Sequence, residues 1–562
     1  MKEERKETSG LSRRAFLQGA SLAAVAAAGM GVVGCAPTST SSEKGAAESS
    51  ANASLAGTGS QEVAWAYHGE SPVWALEEVG EPTETVQAEL VIIGAGGSGM
   101  SAAIQAKQLG MEPVVLEKMA VAGGSFSACE GVFAANSHWQ KEQGFNYTAM
   151  EFVEDTMTYH HYTVQEDLVR KFFERTGETI QWMEDQGIEF DFIQSQAGSR
   201  TAWHIPKGKP KPGPVMCQSL IDATVANDVE IQYETPAKSL VLDGEGAVEG
   251  VIAQRSDGTV VKYETSAVLI CTGGYNSNEE FMKYINGLEP EIWTNFGTPG
   301  HDADGIKMAH GVGADLCRFP GTVNASGLAV VGISFGTPLF AATMQPFCLG
   351  VNGEGERYLK EDLMAANFCA AGQAAMSQPG PLYAIFPRSA IDQLESGSGT
   401  VWGNGVFTSV GDTFPTLTQD IAELSEETVV IADTISELAD KLGMDATVLQ
   451  ATVDRYNELC EKGVDEDYNK AADYLYACDE GPFYAFHQTL MMAFTVGGLK
   501  IDVDNRVIGC DGEPIAGLYA SGCDAGGLYG ECYDYNIIPG SQGAWAVNSG
   551  RMAAESIKEY LG

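Results

Sequence analysis

Short apolar runs punctuated by glycine dominate the first half of the chain after its N-terminal segment. Leu90-Val91-Ile92-Ile93 shows no polar alternation, the pattern of a strand buried on both faces of a parallel sheet. A glycine-rich turn follows, and residues 99–109 carry apolar positions at helical spacing that stop at Gly110. Pro113-Val114-Val115-Leu116 repeats the buried-strand pattern, so this stretch predicts a compact βαβ unit. Helical periodicity returns over 148–160 and 165–186, and strands alternate with turns through 229–272. Residues 205–214, with Pro206-Lys207-Gly208-Lys209-Pro210-Lys211-Pro212-Gly213, read as a solvated basic loop. Residues 315–480 lack glycine-turn-helix units and read as a separate insertion. Within it Asp445 caps a helix running to about Cys460, ahead of Gly463. Strand and turn signals return over 494–520, and a last helix covers 542–560.

Between the first strand and its helix stands Gly94-Ala95-Gly96-Gly97-Ser98-Gly99. The first glycine permits the tight turn, the second lets backbone N–H groups approach a pyrophosphate, and the third lets helix and strand pack closely. The diphosphate then rests on the positive end of the helix. Glu117 ends the second strand, where a carboxylate accepts hydrogen bonds from a ribose. This arrangement suits NAD or FAD. A second glycine turn, Gly123-Gly124-Ser125, follows Glu117-Lys118 directly, and the strand 267–271 ends in Thr272-Gly273-Gly274; both favour FAD.

Composition narrows the class. The 562 residues, 44% hydrophobic and including 66 glycines, suit a two-domain enzyme with a large core. A formal net charge of −43 repels nucleic acid phosphates and anionic headgroups, which disfavours both as partners. Ser12-Arg13-Arg14-Ala15-Phe16-Leu17 ahead of the Ala/Gly-rich stretch 19–34 reads as a twin-arginine export signal, a route that carries folded protein out with its cofactor. The stretch is too short and too poor in Leu and Ile to anchor in a bilayer. Val32-Val33-Gly34-Cys35 resembles a lipoprotein processing box; lipidation of Cys35 and ordinary cleavage nearby are the two alternatives. Residues 36 to about 60 read as a flexible tether and 61–85 as a leader. The 12 cysteines include no C-x-x-C pair, hence no zinc ribbon, thioredoxin motif or c-type haem site.

These residues bring the chain to a known family. It resembles the flavoproteins that include soluble fumarate reductases, urocanate reductases and 3-ketosteroid dehydrogenases, over about 88 to 560. The resemblance rests on Gly94 to Gly99, Glu117-Lys118, Gly123-Gly124, Thr272-Gly273-Gly274 and Gly300-His301-Asp302-Ala303-Asp304-Gly305. Later anchors are Val351-Asn352 with Gly355 and Arg357, Gly497-Gly498-Leu499, residues 517–522 and Gly550-Arg551. It implies an α/β fold: a discontinuous Rossmann-like FAD-binding domain of the glutathione-reductase type, with an inserted α+β capping domain. The expected division is 1–35 signal, 36–85 linker and leader, 86–314 and 489–562 FAD-binding domain, and 315–488 cap. It also implies hydride transfer between flavin N5 and a substrate C–C bond activated by a carbonyl or carboxyl. The expected FAD contacts are Gly94, Ala95, Gly96, Gly97, Ser98, Gly99, Glu117, Lys118, Gly123, Gly124 and Ser125, then Ala237, Thr272, Gly273, Gly274, Asp304, Gly540 and Ser541. Placing Asp304-Gly305 by the flavin argues against a metal at His301-Asp302-x-Asp304, and none is expected.

Departures from the family pattern bear on substrate. Where the fumarate reductases place a carboxylate-holding His, this chain has Phe494; where they place a clamping Arg, it has Ile537; and residues 360–366 carry no proton-donating Arg. Losing charge-assisted clamps costs roughly 1.5–3 kcal/mol per bond, so a small dicarboxylate is a poor substrate. The family's flavin-contacting glutamate is replaced by Cys523-Asp524. Tyr529, Tyr533 and Tyr535 crowd the region before Pro539-Gly540 and are the candidate catalytic residues, Tyr535 first; the alternative is that they are packing aromatics. His160-His161 reads as a helix-surface pair. The expected activity is reduction of the C=C bond of an aromatic or polycyclic α,β-unsaturated carbonyl compound or enoate outside the cytoplasm. Electrons then arrive from a separate membrane or haem protein. Two rivals stay open: a 3-ketosteroid-type dehydrogenase working oxidatively, and a non-catalytic flavin carrier.

Overall fold

A computed structural model describes residues 72–562 apart from 197, 320 and 322. The twin-arginine motif, Cys35 and the tether lie outside the described residues.

The apolar runs become a six-stranded sheet ordered Arg506–Ile508, Pro514–Ala520, Val268–Ile270, Leu90–Ile93, Pro113–Leu116 and Glu230–Gln232. The pairings from Pro514–Ala520 to Glu230–Gln232 are parallel, with Val91 opposite Val114 and Val268, and only Arg506–Ile508 runs antiparallel. Every residue of Leu90–Ile93 is buried, as a parallel strand covered on both faces requires. The helix Gly97–Gln108 lies against the last helix, Ser541–Leu561, and glycines set how closely it packs on the preceding turn and on that helix. A Cβ on Gly99 would fall 1.9 Å from the Gly94 carbonyl oxygen, and one on Gly550 would fall 2.3 Å from that of Ser98. Ala102, Ala103, Ala553 and Ile557 close the gap with no exposed surface.

The second large sheet takes its central strand from Phe483–Thr495, thirteen residues long. Trp293–Asn295 pairs with it in parallel; Val323–Val330, Leu382–Phe386 and Val429–Ala432 pair antiparallel, and Leu349–Val351 extends the edge. This sheet therefore draws on residues outside 315–488, at both ends. Helices 435–442 and 446–462 cover it. Asp445 accepts hydrogen bonds from the Thr447 and Val448 amides, and the second helix stops at Gly463 in the left-handed region, φ 68°. Arg357 is spent on structure here: it meets Glu361 at 2.7 Å and Asp465 at 2.8 Å, and Lys470 approaches Glu361 at 3.4 Å, all four nearly inaccessible. A mixed four-stranded sheet (Glu84–Gln87, Val260–Glu264, Val248–Gln254, Ala237–Leu242) and a three-stranded one (Val132–Phe133, Trp203–Pro206, Phe190–Gln194) complete the set.

The helices 149–159 and 166–185 lie where periodicity put them. The expected loop 205–214 is different. It begins in the strand Trp203–Pro206 and ends in a helix, Pro212–Ala226, with Pro at the first turn where its missing N–H costs nothing. Lys209 is not merely solvated: its Nζ donates to the Gly405 carbonyl at 2.7 Å and lies 4.0 Å from the Phe192 ring centroid. His160 is also misplaced by the surface reading. It is buried, 4% exposed, its Nε2 3.2 Å from Asp534 Oδ2 and its Nδ1 accepting from the Gly530 amide, because the preceding helix ends there and turns the ring inward.

Candidate active site

One cavity runs from the glycine turn to the inner face of the second sheet. At its first end Gly94, Gly96, Gly97 and Ser98 line the wall at the start of the helix Gly97–Gln108. The N-cap position is Gly96, with no capping side chain, so the first-turn N–H groups present their partial positive charge to the cavity. Gly94 holds φ 109°, and a Cβ there would strike the Cys271 carbonyl at 2.3 Å, so the turn is open only to glycine.

Glu117 sits at the end of Pro113–Leu116 and lines the same wall. Its two oxygens accept from the Ala95 and Met119 amides, each at 2.7 Å, which leaves lone pairs for a further donor. Lys118 is ion-paired to Asp302 at 2.7 Å and Asp304 at 2.6 Å. Burial pulls its ammonium pKa down, but the two carboxylates outweigh this and hold it above its ordinary value. His301 stands over Gly273 and Gly124, its Nδ1 3.2 Å from Asn276 Oδ1; burial drives its pKa to about 4, so the ring is neutral.

Asp524, fully buried, replaces the expected glutamate contact with a different task. It accepts from the Gly273 amide at 3.0 Å, the Gly274 amide at 3.2 Å and the Thr272 hydroxyl at 3.1 Å, fixing the turn after Val268–Ile270. Desolvation raises its carboxyl to about 6 in spite of these donors. Cys523, its neighbour, faces the cavity.

The far end is aromatic. Phe494 packs edge-on to Tyr533 at 5.5 Å, Trp203 edge-on to Tyr535 at 6.0 Å, and Phe368 tilts against Tyr535 at 6.2 Å. Phe335, Phe340 and Phe407 form a second aromatic group, with centroids 5.0 to 5.9 Å apart. Burial keeps the Tyr533 and Tyr535 phenols well above their ordinary pKa, so both are neutral donors. Tyr529 does not reach the cavity; its hydroxyl donates to Ser541 Oγ at 3.0 Å in the core behind it.

Of the expected contacts, Ser125, Ala237, Thr272, Asp304 and Gly540 also line the cavity. Ala95, Gly99, Gly123, Gly274 and Ser541 do not; they build the walls. The Ala95 amide goes to Glu117, and Gly123 bridges Gly96. Ile537 is absent from the lining, whereas Phe494 is present. Many lining residues escaped the sequence reading, among them Glu130, Asn404, Trp203, Phe368, Trp402 and His301 as a wall of the site. Glu130 follows the second glycine turn by five positions, and Asn404 lies far off in the inserted segment; no local motif joins them. The residues present suit FAD: an uncapped helix start for the diphosphate, Glu117 for the ribose, and an unpartnered Gln542 Oε1 for a flat polar ring further in.

Residues 89–535 match the family model for the FAD binding domain. A vinyl phenol reductase of Lactiplantibacillus plantarum is 30% identical over 489 residues, covering 84% of this chain and 96% of that one. A urocanate reductase of Eggerthella lenta is 27% identical, covering 79% of this chain and 70% of its own. The open conformation of a flavocytochrome c3 fumarate reductase shares the fold with a TM-score of 0.67 at 24% identity, over 85% of this chain and 79% of that one.

Proposed function

The chain belongs to the FAD binding domain family and is an FAD-dependent oxidoreductase, and from that premise we propose that it reduces the C=C bond of an aromatic α,β-unsaturated carbonyl compound or enoate. Bound FAD supplies the two-electron, hydride-transferring chemistry. The observation that carries the reading is the inner chamber itself. Phe494, Phe368, Trp402, Tyr533 and Tyr535 line it, and Lys118, already held by two aspartates, is the only Lys or Arg among the described lining residues. A small dicarboxylate entering it meets ring faces and no free cation, whereas a flat apolar substrate buries its surface at roughly 25 cal/mol per Å².

Tyr535 orients the substrate in this reading: a neutral phenol in a largely apolar wall donates to a carbonyl oxygen more strongly as charge develops there. The Phe335, Phe340 and Phe407 group supplies a wall for the aromatic portion. The relatives named for vinyl phenol and urocanate reduction support a substrate with a conjugated C=C bond. Export through the twin-arginine route, with Cys35 as the lipid attachment point, rests on residues 12–35 alone, and a separate membrane or haem protein then supplies electrons. Product analysis tests the reading. With an artificial reductant, holoenzyme should saturate cinnamate-type enoates or aryl enones and leave fumarate essentially untouched; the reverse preference contradicts it.

A further inference from the structure

The polar corner of the aromatic chamber is built around a residue that no motif marks. Glu130 lines the cavity beside Gly131, and Asn404 Nδ2 donates to its Oε1 at 2.9 Å. Asn404 is itself fixed: its Oδ1 accepts from the Val406 and Phe407 amides, and its carbonyl accepts from Gln194. The acid is thus held by one oxygen from across the chain, 274 residues away, while its second oxygen takes no hydrogen bond among the described residues. Trp203 stands against Gly131, where a Cβ would meet its Nε1 at 2.5 Å, and that buried indole N–H has no partner among the described residues. Tyr535 packs on the same indole and feels the charge of Glu130. A carboxyl group and a phenol therefore share one corner of a largely aromatic wall.

We propose that Glu130 is the proton-donating catalytic residue of this chamber, touching the substrate carbon next to the carbonyl, and that Tyr535 serves only to hydrogen-bond the carbonyl oxygen. This deepens, and rests on, the C=C-reduction reading above. The O–H bond of the Glu130 carboxyl breaks, a C–H bond forms at the α-carbon from the enolate electron pair, and a carboxylate remains. The other hydrogen and both electrons come from the reduced flavin. Solvent restores the proton once product has left the cavity that Glu130 lines.

Two physical points support this division. Burial lifts the Glu130 carboxyl to about 7, opposed only by the Asn404 hydrogen bond, so the group holds a transferable proton near neutrality. The Tyr535 phenol sits far above that range and releases its proton poorly. The titratable neighbours leave this unaltered. Cys129, which precedes Glu130, is pushed up to about 12 and stays a thiol, and Lys209, near the Asn404 loop, is engaged with the Gly405 carbonyl. No cationic side chain among the described residues pairs with Glu130.

Glu130→Gln tests the assignment in the holoenzyme, because the amide keeps the volume and an acceptor for Asn404 and removes only the acid. Three readouts are expected. Single-turnover reoxidation of the reduced holoenzyme by cinnamate should slow by about 10²-fold with little change in the cinnamate concentration for half-saturation. The wild-type rate should fall as pH rises through about 7, and the variant should lose that limb. Infrared difference spectra of the oxidised holoenzyme, with no substrate, should show a protonated-carboxyl band titrating near the same pH in the wild type and missing in the variant. Small carboxylic acids should partly rescue Glu130→Ala. Wild-type kinetics and an unchanged pH profile in Glu130→Gln would overturn the proposal. So would an infrared titration identical in both proteins. If the wild type itself reduces no enoate or enone, the functional reading fails and this assignment falls with it. If it does and the variant matches it, only the role of Glu130 falls.

Discussion

Asp524 accepts a hydrogen bond from the amide of Gly273 at 3.0 Å, and so a buried carboxylate pins the turn that walls the middle of the cavity. Its carboxyl is raised by desolvation from 3.8 to about 6 in the folded state. A carboxyl whose folded pKa exceeds its unfolded value contributes stability that is complete below the unfolded pKa and is lost as pH rises through the folded one. Unfolding stability should therefore drop between about pH 4 and pH 6 on this group's account, by on the order of 3 kcal/mol. Asp524→Asn should flatten that part of the curve. Urea unfolding at several pH values checks it, and parallel curves for the two proteins would contradict it.

Gly99→Ala places a methyl 1.9 Å from the Gly94 carbonyl oxygen, and backbone cannot yield cheaply. The variant should lose more than about 3 kcal/mol and purify with little flavin. Gly244→Ala, where a Cβ meets nothing within 4 Å, should behave as wild type. Thermal unfolding and the flavin-to-protein absorbance ratio read both.

The elements legible in the sequence were those with a strong local period or a strong local punctuation mark. The βαβ unit announced itself because Leu90–Ile93 is apolar throughout and its turn is all small residues. The helix 446–462 did so because Asp445 and Gly463 mark both ends. Proline and lysine hid the helix Pro212–Ala226, since three prolines in the preceding stretch read as breakers, although one of them sits where a helix tolerates it. Trp293–Asn295 is only three residues and is a strand through its pairing with Phe483–Thr495, a relation no local pattern encodes. The site divided in the same way. Gly94 to Ser98 and Glu117 carry a motif, whereas Glu130 and Asn404 acquire meaning only when the inserted segment folds back over them. His160 looked like surface because a helix runs up to it, but it buries beside Asp534 at the turn beyond.

Glu117→Ala frees the Ala95 and Met119 amides and removes the carboxylate at the strand end. Flavin affinity should fall by about 10- to 100-fold, the equivalent of roughly 1.4–2.8 kcal/mol, while the fold persists. Flavin release during ultrafiltration measures it, and full retention would remove Glu117 from the binding site.

Tyr535→Phe keeps the ring against Trp203 and deletes one hydroxyl. Turnover should drop on the order of 10²-fold with flavin content unchanged. Tyr529→Phe, which loses only a bond to Ser541 behind the wall, should retain most of the activity. Equal rates for the wild type and Tyr535→Phe would take the phenol out of the reaction.

The most direct test of the whole account is anaerobic rapid mixing of the photoreduced holoenzyme with cinnamate and, separately, with fumarate, followed through the return of flavin absorbance. Fast reoxidation by cinnamate and slow or no reoxidation by fumarate is the predicted result. Fast reoxidation by fumarate with none by any aromatic enoate or enone would contradict it.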